Sequence, residues 1–364
     1  MPIIGNTASQ SGRSPGSPTS VSVAAGNAQA TVSFTAPAYM GKGSVTYTAT
    51  SSPGGFNATA SSSPITVTGL SNGTSYTFTV TANSVSGVSG SASSSSSSVT
   101  PVAPVAPSSV TYLVVAGGGA GSTGYAGGGG AGGYRASNLS VSSGSNYSIT
   151  VGGGGTGATG LGNQGTNGSD SSFASINSSG GGRGGELFSA GAAGGSGGGG
   201  GGAYAGTQNR GVGAAGNVGG YSPPEGYAGA NGISDGGYGN DRIGGGGGGA
   251  GGVGNGGNPG YTPGPGVANS ISGSSVTYAT GGAGADSRYF GSGANGNANL
   301  GEGGGGAGEG GNWGAYSGNG GSGVVIIAYP DTFTDAVSTS GSPTFTSVGG
   351  NKIYKFTNSG SIRF

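Results

Sequence analysis

The sequence predicts an all-β chain with essentially no α-helix: a small β-sandwich, then a bundle of glycine helices flanked by strands, then a C-terminal β-meander. Three observations predict it. Residues 15–100 alternate apolar and polar side chains with period two, the mark of half-buried strands. Glycine supplies 97 of the 364 residues, 81 of them between 111 and 323, and a segment so poor in side chains has little apolar area to bury. From 324 onward the chain returns to Val, Ile, Phe, Thr and Tyr, the residues that suit a pleated surface.

Composition excludes several function classes. There is no cysteine and no histidine, which removes disulfides, thiolate zinc sites and imidazole acid–base chemistry. Ten basic and ten acidic residues balance to zero, so no basic footprint for nucleic acid exists. No apolar stretch approaches the roughly 20 residues of a bilayer span, and membrane insertion is not expected. Residues 1–7 carry no basic n-region and no apolar run, unlike a cleaved signal. The expected route to the exterior is therefore one that avoids secretion, such as assembly into a virus particle.

Residues 1–14 form a polar leader, a candidate attachment segment. In 15–100, strands are expected at 21–23, 30–34, 45–48, 65–67 and 76–80, separated by turn residues at 25–27, 53–55 and 71–73. Short strands at this spacing imply a sandwich. Gly69-Leu70-Ser71-Asn72-Gly73-Thr74-Ser75-Tyr76 and the following Thr77-Phe78-Thr79-Val80 resemble the E–F corner and strand F of a fibronectin type III domain. The resemblance implies a core role for Leu70 and a corner role for Tyr76, whose hydroxyl would bond back to the backbone. Phe34 stands where the family commonly has tryptophan. Residues 101–110 open with Pro-Val-Ala repeats and read as a stiff extended linker.

The glycine-rich domain is expected at 111–330. Ordering its backbone costs about 1–2 kcal/mol per residue, and glycine loses more than most. Hydrogen bonds between closely packed chains must offset that cost. Collagen is excluded, because glycine is not in strict triplets. Runs at 127–130, 152–155, 197–202, 244–249 and 303–306 suit extended three-fold helices of the polyglycine II type, which bond only to their neighbours. The apolar runs 111–116 and 324–329 read as buried strands clamping the two ends. Strands at 344–348, 352–357 and 361–364 would form the meander of 331–364.

Tyr112-Leu113-Val114-Val115-Ala116-Gly117-Gly118-Gly119, the run 127–133 with Tyr134, and Gly321-Ser322-Gly323-Val324-Val325-Ile326-Ile327-Ala328-Tyr329 resemble glycine-rich modules of bacteriophage tail proteins. The closing Tyr354-Lys355-Phe356-Thr357-Asn358-Ser359-Gly360-Ser361-Ile362-Arg363-Phe364 is similar to the element that often ends them. Glycine blocks alternating with aromatic, polar segments are also similar to the tip adhesins of T-even-like phage long tail fibres. The resemblance implies distal receptor-binding loops on a glycine-helix bundle.

Other motifs are weaker. Gly119-Ala120-Gly121-Ser122-Thr123-Gly124 has the spacing of a dinucleotide loop but lacks a following helix and acid. Residues 236–244 fit one calcium nonapeptide, with Asp235 and Asp241 as oxygen donors, but that motif works in tandem copies. The pairs Asp235/Asp241 and Glu302/Glu309 lack the apolar setting of a glycosidase acid. No enzyme activity, cofactor or metal is expected.

The aromatic and charged residues between glycine runs are the candidate receptor-binding set: Tyr204, Arg210, Tyr221, Glu225, Tyr227, Tyr238, Tyr261, Arg288, Tyr289, Phe290, Trp313 and Tyr316. Tyr, Trp and Arg combine contact area with directed donors; the competing reading has them shielding the edges of the bundle. The expected function is that of a phage tail-fibre or tail-tip adhesin in the virion. Its expected partners are a host surface polysaccharide or outer-membrane protein, other tail-fibre or virion proteins, and further copies of itself. The alternative is a self-assembling structural filament.

Overall fold

The computed structural model of the chain describes residues 14–41, 43–85, 87–204, 209–235, 241–256, 261–286, 291–308 and 316–364, and the side chains of Asp235 and Asp241 lie outside that set. Among the described residues there is no α-helix. The chain divides into two compact units, Met1–Val105 and Ala106–Phe364.

The first unit is a sandwich. Strands β1 (Thr19–Gly26), β2 (Gln29–Thr35) and β5 (Ile65–Thr68) form one sheet. Strands β4 (Asn57–Ala60), β3 (Val45–Ser52) and β6 (Thr77–Ser84) form the other. Ala30, Val32 and Phe34 of β2 meet Tyr47 and Ala49 of β3 and Phe78, Val80 and Ala82 of β6 in the core. Alternation dictates this, since every second side chain of a strand faces inward. Leu70 and Tyr76 are buried there too. The Tyr76 hydroxyl accepts the Ser71 amide at 3.1 Å, which is the corner expected of a fibronectin-like arrangement.

The serine run completes this sheet in an unexpected way. The amides of Gly90, Ser93, Ser96 and Val99 donate to the carbonyls of Ala82, Val80, Phe78 and Tyr76. Three residues on this segment thus match two on β6. An antiparallel strand of period two would return its own carbonyls to the Phe78 and Val80 amides; the three-residue step leaves them unmet. The hydroxyls of Ser96 and Ser93 accept them instead, at 3.0 and 2.9 Å.

The second unit has two five-stranded sheets, two hairpins and the glycine runs. The first sheet has the order β18 (Thr344–Val348), β19 (Asn351–Phe356), β16 (Val324–Pro330), β7 (Ser109–Val115) and β8 (Tyr134–Ser140). The second has β11 (Ile176–Ser178), β10 (Ser171–Phe173), β9 (Asn146–Thr150), β20 (Gly360–Arg363) and β17 (Ser338–Ser340). The hairpins are β12 (Ile233–Asp235) with β13 (Asp241–Ile243), and β14 (Val267–Asn269) with β15 (Val276–Tyr278). The expected clamp forms: β7 and β16 pair antiparallel, Val324 opposite Val115. One face of this pair packs Tyr112, Val114, Val325, Ile327 and Tyr329 against Ile149, Phe173, Ile362 and Phe364 of the second sheet. The other packs Leu113, Val115, Val324 and Ile326 against Ala131, Ala250, Tyr278 and Ala279. Burial on both faces explains the unbroken apolar runs.

The expected C-terminal meander does not form as one sheet. Strands β18 and β19 make a hairpin in the first sheet, whereas β20 inserts between β9 and β17 in the second. The reason is that Ile362 and Phe364 are wholly buried between the two sheets, which a strand beside β19 could not achieve.

The glycine runs bond laterally with a three-residue repeat. The amides of Gly127, Gly130 and Gly133 donate to Gly185, Gly182 and Ser179. Gly128 and Ala131 donate to Gly245 and Gly248, and Gly129 and Gly132 to Gly304 and Gly301. Acceptor numbers fall along two neighbours and rise along the third, so the packing mixes antiparallel and parallel contacts. Run 117–123 behaves alike: Gly117, Ala120 and Thr123 donate to Ser169, Thr166 and Asn163, and Gly118 and Gly121 to Gly321 and Gly318. The chains approach closely enough that a Cβ built on Gly129 would lie 2.1 Å from the Gly119 carbonyl oxygen. Where a run lies at the perimeter, polar side chains take up its amides. Asn319 Oδ1 accepts Gly157, Asn231 Oδ1 accepts Gly213, Asn167 Oδ1 accepts Arg183 and Asp170 Oδ1 accepts Gly180, at 2.7–2.9 Å.

Candidate functional site

The runs shuttle between a sheet end and a distal end. Run 117–123 leaves β7 and reaches Tyr125, and run 126–133 returns to β8. Ile243 leads into 244–250, whose Ala250 joins the apolar cluster at the sheets, and 279–285 leads back out to Asp286, which bridges Ile243. This alternation sorts the candidate residues by end.

At the distal end, Arg242 lies between two tyrosines. Its guanidinium carbon is 3.8 Å from the Tyr204 ring centre and 4.9 Å from that of Tyr125. Its Nη1 donates to the Tyr125 hydroxyl at 3.0 Å. Phe188 packs on Tyr204 with ring centres 5.2 Å apart. Tyr125 is buried and adopts φ +50°, held by the Gly202 amide on its carbonyl. Tyr204 and Phe188 remain exposed. A cation over an aromatic face is worth about 0.5–1 kcal/mol when exposed and more when desolvated, so Arg242 fixes the tilt of an open aromatic surface.

Tyr261, Asp286, Gly291 and Ser292 line a cavity of about 320 Å³ at this same end. Tyr316 is exposed, and its carbonyl accepts the Gly293 amide at 2.8 Å. Arg210 is exposed just before 211–215. Tyr238, Arg288, Tyr289, Phe290 and Trp313 lie outside the described residues. So do Glu309 and the Asp235 and Asp241 side chains on which calcium binding would depend. Among the described residues no group of three or more acidic side chains is disposed to hold a metal ion.

Three candidates sit near the sheet end instead. Glu225 is wholly buried. Its carboxylate accepts the Ser179 amide at 2.9 Å, the Ser178 hydroxyl at 3.3 Å and the Gly219 amide at 3.3 Å, and its carbonyl accepts the Tyr134 amide. It is a bracket for the 217–225 corner, not a surface contact, which corrects its place in the candidate set. The sequence showed a carboxylate beside prolines and aromatics; its burial follows from runs far apart in the chain. Tyr221 lies under the Arg135 guanidinium at 3.9 Å and bonds to Asn217 through both backbone groups. Tyr227 is exposed, with its carbonyl in the lattice.

Sequence reasoning missed Tyr125, Phe188, Arg242 and Asp286. Tyr125 and Arg242 each flank a glycine run, the same signal that picked out Tyr204. What the sequence withheld was that 125, 188, 204 and 242 meet.

No curated protein sequence matches the chain. Two solved structures show partial likeness. One, of titin kinase and its flanking domains, is 22% identical over 24% of this chain and 17% of its own, with a TM-score of 0.22. Another, of chicken CNTN1 FN1–FN3 domains, is 12% identical over 46% of this chain and 64% of its own, with a TM-score of 0.20. The chain spans less than two thirds of either, and at these scores neither bears on its function. A family model described as a glycine-rich domain matches residues 93–330. That span takes in the glycine runs, β7, β16 and the distal cluster, and the chain belongs to this family of glycine-rich domains.

Proposed function

We propose that the chain is a bacteriophage tail-fibre or tail-tip adhesin that binds a host surface polysaccharide or outer-membrane protein without covalent chemistry. The runs are read as polyglycine II helices, a rigid stem whose distal tips meet the receptor. The observation that carries the reading is Arg242 held against Tyr125 and Tyr204, with Phe188 alongside, at the ends of the runs opposite those that join the sheets. Exposed aromatics pre-oriented by a cation bind with little ordering cost. The fibronectin-like unit serves as a spacer, and residues 1–14 would dock on another virion protein.

The test is binding of the labelled full chain to a panel of bacterial cells, their extracted polysaccharides and solubilised outer-membrane proteins. Binding should fall at least tenfold in Tyr204→Ala and Arg242→Ala, with the melting transition retained. Exchange of 203–243 or 285–300 with a related adhesin should change which cells are bound. Equal binding by the variants, or none across the panel, overturns the proposal.

A second reading, a structural filament, is favoured by one feature. Edge strand β18 is exposed along its whole length, with Phe345 and Val348 open to solvent and no charge or bulge to blunt it. Long polymers of the purified protein in electron micrographs, with no cell binding, would favour it.

A further inference from the structure

Among the described residues, one position of the glycine lattice is unfilled, and its walls present unmatched backbone groups. Residues 281–284, 292–296, 302–303 and 305–306 line a groove of about 320 Å³. In run 279–285 successive amides point three ways. Gly282 and Ala285 donate to Gly129 and Ala126, and Gly281 and Gly284 donate to Gly264 and Tyr261. The Ala283 amide is left on the third side, toward the groove, without a partner among the described residues. In run 301–307 the carbonyls divide likewise. Those of Gly301 and Gly304 accept Gly132 and Gly129, and those of Glu302 and Gly305 accept Gly321 and Gly318. The carbonyls of Gly303 and Gly306, three residues apart, are left toward the groove. On the third wall Gly293 and Gly296 donate to Tyr316 and Asn319, leaving the amides of Ala294 and Asn295, of which Ala294 shares the side of Asn297. Three residues beyond Ala294, the Asn297 amide is met by the Glu302 carboxylate at 3.0 Å, at the groove's end.

We propose that this groove binds one extended, glycine-rich segment of another polypeptide, which completes the lattice. An occupant must supply both acceptors, for Ala283 and Ala294, and donors, for Gly303 and Gly306. The three-residue spacing of these groups matches a backbone with three residues per turn, rising about 3.1 Å per residue. Glycine is required on the inward faces because neighbouring runs already approach within Cβ-excluding distances: a Cβ on Gly282 would lie 2.1 Å from the Gly304 carbonyl oxygen. The mode is strand addition transposed to a three-fold helix, with affinity coming from main-chain bonds. Elsewhere at the perimeter, Asn and Asp side chains take up outward amides; here the Glu302 carboxylate takes up that of Asn297 and leaves Ala283 and Ala294 unmet among the described residues.

The test uses the full chain and the synthetic peptide acetyl-(Gly)6-Lys-amide, with an alanine peptide of equal length as control. Hydrogen exchange should slow at Ala283 and Ala294 with the glycine peptide alone, and calorimetry should detect its binding. Ala283→Pro and Ala294→Pro each delete a groove-facing amide that no lattice bond uses, and proline's φ fits an extended three-fold backbone. Each should weaken binding about tenfold, the loss of roughly 1.4 kcal/mol of hydrogen bonding. Absence of protection at millimolar peptide would overturn the proposal, as would equal protection by the alanine peptide. So would protection of the same amides by a dextran oligosaccharide in place of the glycine peptide. The exchange comparison on the unmodified protein stands even if a proline variant does not fold.

Discussion

Gly129 and Gly153 show how differently one residue type behaves at two places. A Cβ on Gly129 would sit 2.1 Å from the Gly119 carbonyl oxygen and 2.7 Å from that of Ala120, whereas nothing lies within 4 Å of one on Gly153. Gly129→Ala should therefore force the lattice apart and cost more than about 4 kcal/mol, the range reserved for severe core disruption. Gly153→Ala should be neutral or stabilise by about 0.4–1 kcal/mol, through the unfolded chain. Denaturant unfolding of both variants checks this; equal effects would contradict close backbone packing. Glu225→Ala leaves the buried Ser179 amide and Ser178 hydroxyl without their acceptor and should cost about 1–3 kcal/mol. If Glu225 were a receptor contact, its loss would instead weaken binding with stability intact.

At the scale of elements, the serine segment beside β6 carries a sharp prediction. Ser93 and Ser96 are buried and their hydroxyls accept strand amides, while Ser94 and Ser95 are exposed. Ser93→Ala and Ser96→Ala should each destabilise the first unit by about 1–2 kcal/mol. Ser94→Ala and Ser95→Ala should change the melting midpoint little, since exposed substitutions usually stay within about 0.5 kcal/mol. Sequence reading saw only a polyserine tract. Its three-to-two match with β6 depends on a partner strand, so the register of buried serines was not visible beforehand. The strands themselves were legible, because alternation and turn residues are local signals: 344–348 was expected and is β18. The partner of each strand was less so, as β20 shows by joining β9 rather than β19.

For the molecule as a whole, the second unit combines a side-chain core and a backbone lattice, and the two should respond differently. Tyr329 is buried between the sheets, stacked on Tyr354 with hydroxyls 3.4 Å apart. Loss of hydration holds the Tyr329 hydroxyl far above the usual tyrosine range, with the Tyr354 hydroxyl adding to the shift. Burial also raises Tyr278, offset in part by a hydrogen bond from Ser272. The folded protein thus keeps protons that the unfolded chain releases above about pH 10. Stability should be level up to that pH and fall as pH rises further, read as a declining melting temperature in alkaline buffer; Tyr329→Phe should lessen the fall. Runs 127–133, 197–202 and 244–250 carry no titrating side chain. Amides in 127–133, 197–202 and 244–250 should exchange slowly at neutral pH, as cooperative cores do. Rapid exchange there would refute the lattice.

The sequence by itself determined that the chain is all-β, that a fibronectin-like sandwich precedes a glycine-rich unit, and that apolar runs at 111–116 and 324–329 would be buried. These follow from periodicity and composition, which act over neighbouring residues. Only the tertiary structure decided which runs touch, which asparagines cap lattice amides, that Glu225 is an internal bracket, and that Arg242 joins Tyr125 and Tyr204. Glycine runs carry no side-chain code for choosing neighbours. Their register is set by the sheets that anchor one end and the turns that close the other, and those constraints exist only once the chain has folded.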